Sequence, residues 1–214
     1  MKACLAEASG TFLLVFFGTG AIIFNDLNQG ALTDLGISMV FGIAVMCIII
    51  VFSKVSGAHI NPAVTLGLAM IQKHKTSKML CYIAFQLAGA IIASALLKLL
   101  FPDHKLLGLT FPVVGIYQSF LLEFLLTCVL MALILWLDYQ GIKNRVWVGF
   151  IIGSIVFFAA YFAGPFCGAS MNPARSIAPA LVSGQVKHLW IYITAPLLGA
   201  LCTAFAFKLK FRFS

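Results

Sequence analysis

The sequence predicts an all-α integral membrane protein of six spans and two short helices, and three observations carry that expectation. Hydrophobic residues make up 62% of the 214-residue chain and charged residues only 9%, and the mean hydropathy of +1.07 belongs to the membrane class rather than to any soluble one. Long unbroken apolar runs recur along the whole chain. Between them, one short motif occurs twice.

The apolar runs lie near residues 5–24, 35–53, 79–100, 115–137, 146–163 and 189–208, each close to the roughly 20 residues a helix needs to cross a bilayer core of ~30 Å. A barrel would instead show alternating segments of about 10 residues. Glu7 interrupts the first run and no small-residue cleavage site follows it, so that run is expected to be a retained span and not a signal peptide.

A formal net charge of +8 would suggest nucleic acid in a soluble protein, but here the basic residues gather in a few short segments between spans. Lys73, Lys75 and Lys78 precede the third span, Lys143 and Arg145 the fifth, and Lys208, Lys210 and Arg212 follow the sixth. The positive-inside rule makes those segments and both termini cytoplasmic. Residues 25–34, with Asp26 and Asp34 and no basic residue, and residues 101–105, with Asp103 and Lys105, then lie outside. No nucleic-acid partner is expected.

Six cysteines (Cys4, Cys47, Cys81, Cys128, Cys167 and Cys202) are scattered without a CxxC pair, and no His cluster has metal-ligand spacing. They are expected to be small buried hydrophobes, with Cys167 either buried and inert or open to mercurials. No metal, no cofactor and no nucleophile–base pair is indicated, so enzyme activity is not expected.

The chain also repeats itself. GAHINPAVT (57–65) and GASMNPARS (168–176) agree in register, Glu7 is echoed by Glu123, and QLAGA (86–90) by PLLGA (196–200). The halves run roughly 1–100 and 112–214 within a single domain, and three spans per half invert the second copy in the membrane. Each Asn-Pro-Ala is followed by an apolar segment too short to cross. Asn favours the N-cap and Pro the first helical position, so Asn61-Pro62-Ala63 and Asn172-Pro173-Ala174 each mark a helix start. Half-helices of about 10 residues reach ~15 Å and would meet at the midplane. Irregular backbone at that depth is tolerated only in protein or beside a water-filled cavity, so two such loops imply a lumen.

On SGAHINPAVT, GASMNPARS, the Glu7/Glu123 pair and the Gly89/Gly199 echo, the sequence resembles the major intrinsic protein family, the aquaporins and aquaglyceroporins, over essentially its whole length. That resemblance implies a right-handed bundle of six tilted helices and two half-helices, one pore per subunit and homotetramers. It also implies that Glu7 and Glu123 accept hydrogen bonds from loop backbone N–H groups behind the half-helices. Physically, two helix N-termini facing one another put partial positive charge at the midplane and disfavour cations. The Asn61 and Asn172 carboxamides can donate to one passing oxygen.

Arg175 lies at membrane depth, where a charge costs at least ~2.5–3.5 kcal/mol on insertion scales. It is expected to face the lumen as a donor and cation barrier, the alternative being a salt bridge. Family spacing adds Phe41, Ala160 and Ala169 to a constriction with Arg175. Water-selective members usually carry His at the Ala160 position, whereas glycerol facilitators usually carry Asp where this chain has Ser176. GPFCGASMNPARSIAPAL and LWIYITAP most resemble nodulin-like intrinsic proteins of plants and their bacterial relatives, which usually carry Trp at the Phe41 position in their glycerol-permeable class. The resemblance implies passage of water and small uncharged solutes such as glycerol or arsenous or boric acid, with a strictly water-selective pore as the alternative. An ion-coupled transporter, also built from inverted repeats, ranks far below. His59 is read as a neutral support at the cytoplasmic vestibule, with a pH sensor as the alternative, and His74, His104 and His188 as solvated.

Overall fold

The computed structural model describes residues 1–72 and 76–211, the side chain of Gln72 excepted. Lys73, His74, Lys75 and Arg212, invoked above for charge and solvation, lie outside the described residues. Among those residues the chain forms eight helices and no strand: α1 (Lys2–Leu27), α2 (Thr33–Ser56), α3 (Pro62–Gln72), α4 (Thr76–Leu100), α5 (Ile116–Tyr139), α6 (Arg145–Cys167), α7 (Pro173–Ser183) and α8 (Leu189–Phe211).

Six of these have 23 to 26 residues, about 34–39 Å at 1.5 Å per residue, enough to cross a ~30 Å core. All but α5 outrun their apolar stretches by several residues, because the polar ends keep helical hydrogen bonds beyond the hydrocarbon. The two remaining helices, α3 and α7, have 11 residues each, or about 16 Å. Neither can cross alone.

Helices pair through their small residues. α2 packs on α6, α1 on α4 and α5 on α8, and in the first pair a Cβ on Gly42 would sit 2.8 Å from the Gly153 carbonyl oxygen, and one on Gly153 2.6 Å from that of Gly42. Gly89 meets the Ala8 carbonyl and Gly199 the Phe124 carbonyl in the same way. Such close backbone approach drives association where lipid supplies no hydrophobic contrast. The echoed glycines of the sequence are thus the contact points of α1·α4 and α5·α8.

The cysteines depart from expectation. Cys4 of α1 and Cys81 of α4 form a disulfide, Cys47 and Cys202 are exposed and Cys128 is intermediate. Only Cys167 is a fully buried thiol, its Sγ donating to the Ala163 carbonyl. The bridge joins residues 77 apart in sequence, a proximity that only the packing of α1 on α4 creates.

Candidate functional site

A glycine in the left-handed region opens each loop that leads to a half-helix. Gly57 (φ 93°) caps α2 and Gly168 (φ 87°) caps α6, their N–H groups donating to Ser53 and Gly164 carbonyls. Ala58, Ile60, Ala169 and Met171 then hold φ of 40–51°, a conformation that costs a non-glycine residue on the order of 1–3 kcal/mol and persists only when its surroundings over-determine it.

Those surroundings are two buried glutamates. Glu7 accepts from His59 N (3.0 Å) and Ile60 N (2.6 Å), and Glu123 accepts from Ser170 N (2.7 Å) and Met171 N (2.8 Å). Both are fully buried. Each carboxylate holds two consecutive loop N–H groups. Gln86 Nε2 adds a third bond to Glu7 at 2.7 Å and bonds Thr65 Oγ1 at 2.9 Å. In the second half Pro196 holds the Gln86 position, and the group beside Glu123 is instead the Cys167 thiol, which also donates to the Ala163 carbonyl.

With these N–H groups held, the carbonyls of Ile60 and Met171 become acceptors for the opposite half. Asn61 Nδ2 donates to Met171 O at 2.7 Å and Asn172 Nδ2 to Ile60 O at 2.9 Å. Each Asn Oδ1 caps its own helix, accepting from Ala63 N and from Ala174 N. An amide has two N–H groups, so one remains on each Asn. Pro62 and Pro173 occupy the first helical positions, and Ala63 and Ala174 are fully buried behind them.

The two Asn side chains line one cavity of about 690 Å³ that runs from Asn25, Asp26 and Asp34 at one end of the bundle to Lys78 and Asp138 at the end that carries the termini. Leu14, Val45, Val64, Ile152 and Val156 supply apolar walls, and residues 57–61 and 168–172 a polar strip. A lumen of this kind gives a small polar solute a hydrogen-bonding track on one side and no competing partner on the other.

Phe41, Ala160, Ala169 and Arg175 all line this cavity. Arg175 is 3% exposed, its Cζ stands 5.1 Å from the Phe41 ring centroid, and Nη1 donates to the Gly108 carbonyl at 2.8 Å. Among the described residues no carboxylate forms a salt bridge with it. A cation in the first turn of a helix opposes the helix dipole, so α7 gains nothing from Arg175. The Gly108 carbonyl is the one protein acceptor of the guanidinium among the described residues, and Arg175 lines the cavity. Gly18 makes room for Phe41, because a side chain there would collide with the Phe41 ring.

His59 is half-buried beside the same cavity. Besides its N–H bond to Glu7, its Nδ1 lies 3.2 Å from Thr65 Oγ1 and its ring meets Tyr82 edge-on at 5.1 Å. His104 corrects its expectation: the side chain is 9% exposed and Nε2 lies 3.2 Å from Asp26 Oδ2, so it is a paired residue and not a solvated one.

Several residues of the site escaped the sequence reading. Tyr82 OH donates to Ser56 O and Tyr192 OH to Cys167 O, closing the last turns of α2 and α6 in both halves. The signal was present, since Tyr82 precedes Gln86 by the four residues that separate Tyr192 from Pro196. Thr110 Oγ1 donates to Ser176 Oγ at 2.9 Å, and Ser176 also meets Ser170 Oγ at 2.6 Å. Gly108 and Thr110 lie far from the motifs in sequence, and no local signal marks them.

Six spans around a lumen, with two half-helices whose N-termini are tied together inside it, define a transmembrane channel. The family model for the major intrinsic proteins matches residues 1–207, and the chain belongs to that family, whose members are channels and not enzymes. The chain is 36% identical to Aquaporin NIP1-1 of Oryza sativa subsp. japonica, with 98% of this chain and 74% of that protein covered. It is 34% identical to Nodulin-26 of Glycine max, covering 98% and 78% respectively. The X-ray structure of the aquaglyceroporin from Plasmodium falciparum has the same fold, with a TM-score of 0.86 at 24% identity over 99% of this chain and 96% of that one.

Proposed function

We propose that this channel passes water and small uncharged hydroxylated solutes, glycerol or metalloid hydroxides such as arsenous and boric acid, down their gradients while excluding ions and protons. One observation carries the reading: a guanidinium with unshared N–H groups faces an aromatic ring across the lumen, and the third wall, Ala160, projects only a methyl group. Arg175 supplies donors for a hydroxyl and repels cations, Phe41 gives the carbon skeleton an apolar face, and Ala160 and Ala169 leave width. Asn61 and Asn172 orient an oxygen at the junction of the half-helices, where two N-termini add positive potential.

The names of the relatives, aquaporins among them, and the aquaglyceroporin likeness support water and small solutes as the class. We further propose a single channel domain of inverted halves near 1–100 and 112–214, assembled as a homotetramer in a cell membrane with both termini cytoplasmic. Lys78, Lys143, Arg145, Lys208 and Lys210 at one end, and Asp26, Asp34 and Asp103 at the other, support that orientation. The strictly water-selective alternative is favoured by Ser176 and by the 5.1 Å approach of Phe41 to Arg175.

Stopped-flow light scattering on proteoliposomes separates the two readings. Fast shrinkage in sucrose and fast re-swelling in glycerol, with re-swelling suppressed in Ala160→His, is the expected result. Fast water flux with glycerol and boric acid entry no faster than in empty liposomes would instead make this a water channel.

A further inference from the structure

We propose that His104 is a positioning residue for the filter: it holds the Gly108 carbonyl on which Arg175 rests, and protonation of its ring releases that carbonyl and narrows the pore. The inference rests on the reading of Arg175 as a filter residue.

The segment 104–110 lies along one face of α1. Asp26 meets His104, Ile23 packs with Leu107, and Thr19 underlies Gly108. Positions 19, 23 and 26 share a helix face, so α1 clamps the segment at three successive points. Leu107 is fully buried among Ile23 and Leu97 and takes φ 51°. Its N–H donates to His104 Nδ1 at 3.0 Å. The next carbonyl but one, that of Gly108, accepts Arg175 Nη1.

This geometry fixes the tautomer. Nδ1 accepts, so in the neutral ring the proton sits on Nε2 and is donated to Asp26. A second proton would have to sit on Nδ1, donor against donor with the Leu107 N–H, and one of the two must turn away. Leu107 already holds a backbone conformation that needs support, and turning its peptide carries the Gly108 carbonyl with it. Arg175 then loses its only protein acceptor among the described residues, and the acceptors left to it are in the lumen.

The charged groups around the ring are few. α1 presents Asp26, α4 presents Lys98, whose Nζ donates to the Pro102 carbonyl at 2.6 Å, and the segment itself carries Asp103 and Lys105. Asp34 of α2 lies at the same mouth of the cavity. His104 is the one imidazole in this set. The ring does not itself line the cavity; it meets Asp26 at the outer mouth, and its route to Arg175 runs through Leu107 and Gly108.

The test is glycerol and water permeability in proteoliposomes held at equal pH inside and out, stepped from about pH 8 to about pH 5. In wild type the glycerol-to-water permeability ratio is expected to fall about fivefold, the factor carried by one hydrogen bond. His104→Asn keeps an acceptor near the Nδ1 position but does not titrate. It should hold the high-pH ratio throughout, whereas His104→Phe should show the low-pH ratio throughout. A pH step in His104→Asn as large as in wild type, or a His104→Phe channel equal to wild type at about pH 8, would overturn the proposal. In Arg175→Ala the step should vanish. A step that persists there overturns the relay, and a wild-type ratio at high pH in Arg175→Ala overturns the filter reading itself.

Discussion

Replacing either buried glutamate by leucine should destabilise the channel, and the structure ranks the two. Glu7→Leu orphans three donors, His59 N, Ile60 N and one N–H of Gln86 Nε2. Glu123→Leu orphans two, Ser170 N and Met171 N, while the Cys167 thiol beside it keeps the Ala163 carbonyl as an acceptor. Each buried donor left unsatisfied costs about 1–3 kcal/mol. At about 2 kcal/mol apiece the losses are about 6 and about 4 kcal/mol. A difference of about 2 kcal/mol in a chain of this length separates the two melting temperatures by about 4–8 °C. The positive-φ residues in both loops add to each loss, because the carboxylates are what hold them. Gln86 keeps its bond to Thr65 in either case, so it contributes only one orphan.

Scanning fluorimetry on purified protein in a mild detergent would measure both shifts. Glu7→Leu should melt lowest, then Glu123→Leu, then wild type, and Glu7→Gln should recover part of the loss, since its amide oxygen can still accept one loop N–H. Equal melting of all three, or Glu123→Leu melting below Glu7→Leu, would refute the assignment of the glutamates as loop anchors.

Asn61→Ala and Asn172→Ala each remove a helix cap, worth about 1 kcal/mol, together with the bond to the opposite half. Both channels should still conduct water but leak protons above the wild-type level, as a pH-sensitive dye inside proteoliposomes would record. Gly42→Ala should lower the melting temperature markedly, because the new methyl meets Gly153 O and Phe157 Cβ, both at 2.8 Å. Gly164→Ala, with nothing within 4 Å of its Cβ, should be neutral or stabilise by up to about 1 kcal/mol, read by the same melting assay.

Long apolar runs made the spans legible, and the repeated Asn-Pro-Ala made the half-helices legible, because both are local patterns with a direct physical meaning. The roles of Asn61 and Asn172 as caps were equally readable. Their bonds to Met171 and Ile60 were not, since each reaches more than a hundred residues along the chain. Arg175 could be assigned to the lumen from its cost in a membrane, but its partner is a backbone carbonyl in a segment whose side chains give no hint of it. The Cys4–Cys81 bridge and the His104–Asp26 pair failed to appear in the sequence for the same reason: helix packing, not spacing, brings them together.

The central claim is passive passage of neutral solute through a lumen that excludes charge. Glycerol flux into proteoliposomes, measured against the imposed glycerol gradient while an internal dye follows pH, tests it most directly. Flux linear in the gradient is expected, unaltered by sodium or proton gradients, with proton entry no faster than in empty liposomes. Saturating flux that moves protons or sodium with the solute would contradict it.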